Sequence, residues 1–356
     1  MIGAMKVQAR RKRVLWLSLD VLVLLGLAGS AGCGRQEQGP ASSSATPPGQ
    51  RALLRLAVFR GEEFTPLAAA LGYFDAEGLN VEVSEVASTS KAMQALFGGS
   101  ADVVTGGFDH AVHLAAEGRQ ARSFFVLTTR SPLALVASPK AARIRRVEDL
   151  KGATVGISAF GSSGQHFVTH LLARSGLAAG DVKFAVTGGG HSVTVASVEH
   201  GQVDAIVTLP ASLAILRARI PTLAVLADVS SVEASRRVFG VDEYPGVAMM
   251  APSAWLAQNG ESARGLARAM ARTLAWVRTH SVEDLKAKLP NRASAPVEEL
   301  EGLRATIAAA SLDGRMPVGG PEAVRAVLAA SYPGIGSLDL TPTYTNEFVP
   351  AAKPGQ

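Results

Sequence analysis

The chain reads as an α/β protein of two lobes, each built on a doubly wound and mainly parallel sheet, and three observations predict this. Short apolar strands alternate with short helices through tight turns from Leu53 to Arg217, the rhythm of a parallel sheet covered on both faces. The rhythm runs twice: FGGSADVVTGG at Phe97 to Gly107 and EHGQVDAIVTLP at Glu199 to Pro210 each lead from a helix through a glycine turn into a strand begun at an aspartate. These are two similar lobes rather than tandem repeats. Length and composition agree, since 356 residues with 47% hydrophobic and 18% charged side chains suit two globular units with sizeable cores.

The formal charge of +5 invites a nucleic-acid partner, but residues 1–32 hold Lys6, Arg10, Arg11, Lys12 and Arg13 against Asp20. From totals of 35 basic and 30 acidic residues, that leaves 30 against 29 in the rest of the chain. The basicity belongs to the terminus, and no nucleic acid is expected. There a basic segment precedes an apolar run from Val14 to Ala28, then Gly29-Ser30-Ala31-Gly32 and Cys33, the layout of an export signal. A membrane-spanning anchor is the alternative, but the run is shorter than the ~20 apolar residues a bilayer requires and contains Asp20. Cys33 is the only cysteine, so no internal disulfide forms. Small residues before it resemble the lipobox of bacterial lipoproteins, with Ser30 standing where those sites usually carry leucine and Leu27 further back. The resemblance implies lipidation of Cys33; plain secretion is the alternative. Residues 33–52, polar and rich in Ser, Pro and Gly, form a flexible tether.

The folded part is expected to open with the strand Leu53 to Phe59, followed by a helix from Pro66 to Phe74, a strand Val81 to Val83 and a helix Lys91 to Phe97. A strand Asp102 to Thr105 and a helix Asp109 to Glu117 follow. Ligands of such sheets sit beyond the carboxyl ends of the strands, which points to the turns after Phe59, at Ala87 to Ser90 and at Gly106 to Asp109. Phe124 to Leu127 and Leu133 to Ala137 are further strands.

The stretch Thr154 to His170 is the most informative. Thr154 to Ile157 is a buried strand, and Phe167, Leu171 and Leu172 repeat at helical spacing. Phe160-Gly161-Ser162-Ser163-Gly164 is therefore a turn on a helix N-terminus, where unpartnered N–H groups and the positive end of the dipole favour an anionic or carbonyl-bearing ligand. Simple capping by Ser162 or Ser163 is the alternative. Beyond it lie a strand Val182 to Val186, a turn Gly188 to Gly190, a helix Val193 to Glu199, a strand Ala205 to Thr208, the turn Leu209-Pro210 and a helix Ser212 to Arg217. After the strand Leu223 to Leu226 comes a polar excursion and a return strand, Gly246 to Ala251. Ser262 to His280, Val297 to Leu312 and Pro321 to Ala330 are Ala-rich helices suited to packing on a sheet.

Chemistry is sparse. His166 and His170 lie four apart on one helix without an intervening glutamate or a nearby cysteine, so packing or solvent exposure is expected rather than metal binding. His110 and His113 are equally ambiguous, although His110, beside Asp109, is placed to hydrogen-bond a ligand. Adjacent Glu62 and Glu63 read as solvated charges. Gly188 to Gly190 lacks dinucleotide-binding spacing, no Gly-x-Ser-x-Gly elbow occurs, and the Ser163–His166 pair has no acid placed to complete a triad. No catalytic residue, metal or cofactor is expected.

PLAAALGYFDAEGLNVEV at Pro66 to Val83, ALFGGSAD at Ala95 to Asp102, DLKGATVG at Asp149 to Gly156, Ser175-Gly176-Leu177 with Asp181-Val182, and Gly201 to Ala205 occur in the order seen in one family. Together they resemble the extracytoplasmic solute-binding proteins of ATP-driven (ABC) importers, in the branch for nitrate, taurine, aliphatic sulfonates and thiamine-pyrimidine precursors. The similarity spans Leu53 to Pro252 and, more loosely, reaches Phe348. It implies a two-lobed periplasmic-binding-protein fold of type II whose chain crosses between lobes near Ser131–Ser138 and Tyr244–Met250. Residues 53–132 and 249–356 would form the first lobe and 133–248 the second.

The resemblance further implies a ligand held between the lobes by Phe59, Arg60, Thr89, Ser90, Gly107, Phe108, Asp109, Phe160, Gly161, Ser162, Ser163, Gly164, Gly190, His191, Leu209, Pro210 and Tyr244. Its partners would be that small molecule and an ABC permease. The protein itself would be a monomer in the periplasm or at the cell surface, anchored by lipid on Cys33. Helix N-termini favour a small organic anion such as a sulfonate or nitrate. A pyrimidine-like ring between Phe59, Phe108, Phe160 and Tyr244 is the alternative, as is a biosynthetic enzyme on this fold, making thiamine pyrimidine or menaquinone. Export opposes the enzyme, and the cysteine-rich run of the thiamine-pyrimidine synthases is absent from the sequence.

Overall fold

The computed structural model describes residues 52–289 and 297–351; the export signal at 1–32, Cys33 and the tether as far as residue 51 lie outside the described residues. The first lobe opens with β1 (Leu53–Phe59), α1 (Phe64–Ala70), α2 (Tyr73–Ala76), β2 (Asn80–Val86), α3 (Thr89–Phe97), β3 (Val103–Gly107), α4 (Asp109–Ala116) and β4 (Ala121–Val126). The single helix expected from Pro66 to Phe74 is two, because Gly72 adopts a left-handed φ of 69° and ends the first.

The chain then crosses over. β5 (Ala134–Ala137), β6 (Thr154–Ile157), α5 (Ser163–Arg174), β7 (Lys183–Val186), α6 (His191–Glu199), β8 (Ala205–Thr208), α7 (Pro210–Arg219), β9 (Ala224–Asp228) and α8 (Val232–Phe239) build the second lobe. The polar excursion after Leu226 thus contains a helix, whose Arg236 and Arg237 face water while Ala234 and Phe239 are buried. A second crossing leads into β10 (Val247–Pro252), α9 (Ser253–Gln258), α10 (Gly260–Thr279), α11 (Val282–Lys288), α12 (Val297–Ala308) and α13 (Gly320–Ala329).

Each lobe holds a five-stranded sheet, ordered β2-β1-β3-β10-β4 and β7-β6-β8-β5-β9. β1 pairs in parallel with β2 and β3, and β6 with β7 and β8. In each sheet the strand that follows a crossing runs the other way: β10 is antiparallel to β3 and β4, and β5 to β8 and β9. Both enter from the side of the other lobe, where the parallel strands end, and so run against them. Leu56, Leu67, Phe124 and Phe125 in the first lobe and Leu135, Ile157 and Leu172 in the second are fully buried, each worth about 1.5–3 kcal/mol of transfer free energy.

The carboxy-terminal part does not all stay with the first lobe. α12 lies on α7 of the second, so close that a Cβ at Gly302 would come within 2.2 Å of the Ala211 Cα. α13 contacts both α4 and α5.

Candidate functional site

α3, α4, α5, α6 and α7 each follow the carboxyl end of a parallel strand, and their first turns meet at one cavity of about 140 Å³ between the lobes. That is room for roughly five water molecules at about 30 Å³ each, the size of a small organic solute. Ser88 caps α3 by accepting the Lys91 N–H at 3.3 Å, and Ser162 caps α5 by accepting the Gln165 N–H at 3.3 Å. Both readings of the Ser162-Ser163 turn therefore meet in one place: Ser162 is the cap, and both serines line the cavity.

Of the residues singled out from the sequence, Phe59, Arg60, Thr89, Gly107, Asp109, Ser162, Ser163, Gly164, Gly190, His191, Leu209 and Tyr244 line this cavity. Arg60 is engaged rather than free: its Nε donates to Glu85 Oε1 at 2.7 Å, and its Nη1 reaches across to the Gly189 carbonyl at 3.4 Å. The His191 ring meets Ser212 Oγ at 2.9 Å.

Others stand elsewhere. Phe108 is buried in the first-lobe core, edge-on to Tyr344, because the residue before a helix begun at Asp109 points back into the sheet. Phe160 is 64% exposed, the chain reversing beyond it at left-handed Gly161 (φ 69°). Gly161 and Ser90 lie on an outer cleft with Phe160, where Ser90 Oγ donates to the Phe160 carbonyl at 3.4 Å. Pro210 lines a smaller adjoining cavity. Tyr244 is stacked on Phe239 at 4.0 Å, so one ring face is already covered. The aromatic sandwich expected for a flat ligand is accordingly not assembled by these four side chains.

Glu62 and Glu63, expected in solvent, are both buried. Glu62 Oε1 accepts the N–H groups of Phe64 (2.7 Å) and Thr65 (3.1 Å) at the start of α1, and Oε2 accepts the Thr105 hydroxyl at 3.4 Å. Burial pushes its carboxyl up to about 7 against these hydrogen bonds.

Asp109 is the reverse case. Its Oδ1 accepts from Ser163 Oγ at 2.7 Å and meets His110 Nδ1 at 3.2 Å, while Oδ2 meets His166 Nδ1 at 2.6 Å. Burial raises this carboxyl, but the charges and hydrogen bonds of His110 and His166 outweigh it and hold it well below the usual range. The acid missing from the sequence reading thus exists, on the opposite lobe. It does not complete a nucleophilic triad, in which histidine stands between serine and acid; here Ser163 and His166 bond to the same carboxylate. His166 Nε2 meets the Tyr332 hydroxyl at 3.0 Å, and Tyr332 is stacked on His113 at 4.1 Å. His170 Nε2 donates to the Val238 carbonyl at 3.0 Å. Among the described residues no group of three or more His, Cys, Asp or Glu could hold a metal ion.

Residues 63–283, more than half of the chain, match the model of the NMT1/THI5 like family. The chain belongs to this family. No curated protein matches it. It is similar in structure to a protein of Bordetella bronchiseptica RB50, with 29% identity over 84% of this chain and 96% of that one and a TM-score of 0.79. It is also similar to the alkanesulfonate-binding protein SsuA of Xanthomonas axonopodis pv. citri, which was solved bound to MOPS (18% identity, 82% and 95% covered, TM-score 0.65). The periplasmic nitrate-binding protein NrtA of Synechocystis PCC 6803 is a third neighbour (14% identity, 84% and 87% covered, TM-score 0.66). The fold of this NMT1/THI5-like chain is thus that of periplasmic binding proteins. No helix among the described residues is long and apolar enough to cross a membrane.

Several lining residues were not anticipated: Ser131, Thr187, Thr194, Ser212 and Phe239, with His166 behind Asp109. The Ser163–His166 spacing was visible. Its acid partner was not, because no local pattern joins residues 54 and 57 positions apart.

Proposed function

We propose that this NMT1/THI5-like protein is the extracytoplasmic solute-binding component of an ABC importer, which closes its lobes over a small organic anion and delivers it unchanged to a permease. The observation that carries the reading is the convergence of the α3, α5, α6 and α7 N-termini, with the hydroxyls of Thr89, Ser163, Thr194 and Thr208, on one inter-lobe cavity. Each N-terminus offers unpaired N–H groups and a positive dipole end to an oxyanion, and exclusion of water strengthens every such bond. Phe59, Leu133, Val207 and Leu209 on the same wall suit an apolar body behind the charged head, as in an alkanesulfonate. The sulfonate- and nitrate-binding neighbours agree with this ligand class.

Export by residues 1–32, a lipid anchor on Cys33 and a monomeric state complete the proposal. Mass spectrometry of the mature terminus tests the anchor, and an unmodified cysteine defeats it. A thermal-shift series over alkanesulfonates, nitrate, bicarbonate, pyrimidines and flavins tests the ligand. A sulfonate at a hundred times its Kd stabilises the closed form by about 2.7 kcal/mol, a rise of roughly 4 °C for a folded body of this size. A response to pyrimidines alone, or a new product formed on incubation, overturns the reading.

A further inference from the structure

We propose that Asp109 is a positioning residue that latches the two lobes together. Its carboxylate, carried by the first lobe on α4, grips Ser163 and His166 of α5 in the second lobe and sets how long a solute stays enclosed. The clause about the solute rests on the proposed function; the latch itself does not.

Both bonds cross the gap, from β3–α4 of one sheet to β6–α5 of the other. They are short, at 2.7 and 2.6 Å, and the three side chains involved include two that are almost wholly enclosed, Asp109 and His166. Charge-assisted bonds of this length, shielded from water, are stronger than exposed neutral ones. Two other contacts across the cleft, Arg60 to the Gly189 carbonyl and Ser90 to the Phe160 carbonyl, are both 3.4 Å and exposed.

The latch is also held from both sides. His110 braces the carboxylate within its own lobe, and the hydroxyl of Tyr332, whose ring is stacked on His113, meets the far nitrogen of His166 and fixes that imidazole. Close approach depends on Gly107: a Cβ there would come 2.3 Å from both Asp109 Oδ1 and Ser163 Oγ. The first lobe thus ends its third strand in a residue without a side chain at the point where the second lobe must arrive.

The test uses the full chain with Cys33→Ser and nitroxide labels on Asp75→Cys and Lys183→Cys, one per lobe, and measures the inter-label distance with no solute added. Asp109→Asn is expected to raise the ratio of long to short distances at least tenfold, and Ser163→Ala with His166→Asn to do the same from the other side. Combining Asp109→Asn with Ser163→Ala and His166→Asn is expected to add little beyond either arm, since each removes the same two bonds. Circular dichroism and cooperative melting check that each variant folds; should Asp109→Asn fail to fold, the Ser163→Ala/His166→Asn chain decides alone. An unchanged distance distribution in a folded variant, or fully additive effects, overturns the latch. Separately, 1-hexanesulfonate serves as the solute probe: its dissociation should accelerate at least tenfold in Asp109→Asn while association changes little. If the wild type does not bind 1-hexanesulfonate, the proposed ligand class is what fails, and the distance measurement still decides the latch.

Discussion

Glu62 and Asp109 are buried carboxylates of the same lobe, one just after β1 and the other just after β3, each facing a cavity. Their states are opposite. Glu62 has only neutral hydrogen-bond donors, two backbone N–H groups and a threonine hydroxyl, and burial lifts its carboxyl to about 7. Asp109 meets two imidazoles and a serine hydroxyl, and its carboxyl stays well below the ordinary range despite equal burial. Enclosure by itself favours the neutral acid; an adjoining positive group reverses the outcome. The partners of Glu62 lie within its own lobe, whereas Asp109 has His110 in its own lobe and Ser163 and His166 in the other. One carboxylate therefore stabilises a helix start, and the other reports whether the lobes are together.

The largest effect that would sharpen this contrast is expected from Glu62→Gln. The raised carboxyl of Glu62 contributes stability that is complete below about pH 4.5 and is lost as pH rises through about 7. The full loss is about 3 kcal/mol from the size of the shift. Urea midpoints measured from pH 4 to 8 should fall with rising pH in the wild type and flatten in Glu62→Gln, which becomes the more stable chain at pH 8. Parallel profiles for the two proteins would mean that Glu62 carries no abnormal proton.

Gly107→Ala is next in size. The added methyl must push Asp109 and Ser163 apart, an overpacking cost of about 1–2 kcal/mol, and should weaken 1-hexanesulfonate roughly tenfold by calorimetry. Unchanged affinity would separate the Asp109 bond from solute retention. Thr105→Val is the smallest. It removes a long hydrogen bond to Glu62 and should cost under about 1 kcal/mol, moving the pH at which stability falls slightly upward. A downward move would show that the hydroxyl favours the protonated acid.

Legibility followed physical range. β1, β6 and β8 begin and end where alternation and apolar runs predict, at Leu53–Phe59, Thr154–Ile157 and Ala205–Thr208, since strand periodicity is a property of consecutive residues. α8 escaped notice because its charged face hides a helical stripe. Within the site, glycine and serine at the strand ends were readable as helix starts. Phe108 and Phe160 were not separable from true lining residues, because a turn's position is local while the direction of its side chain depends on what packs beside it.

Most of the order of strands and helices, and the five helix starts at strand ends, were determined by the sequence alone, through patterns that repeat within a few residues. Only the tertiary structure decided which of those starts touch one another. Asp109 meets Ser163 and His166 because two separately folded sheets bring distant parts of the chain within hydrogen-bond reach. Hydrogen bonds act over about 3 Å, so no spacing along the chain encodes them until the lobes have closed.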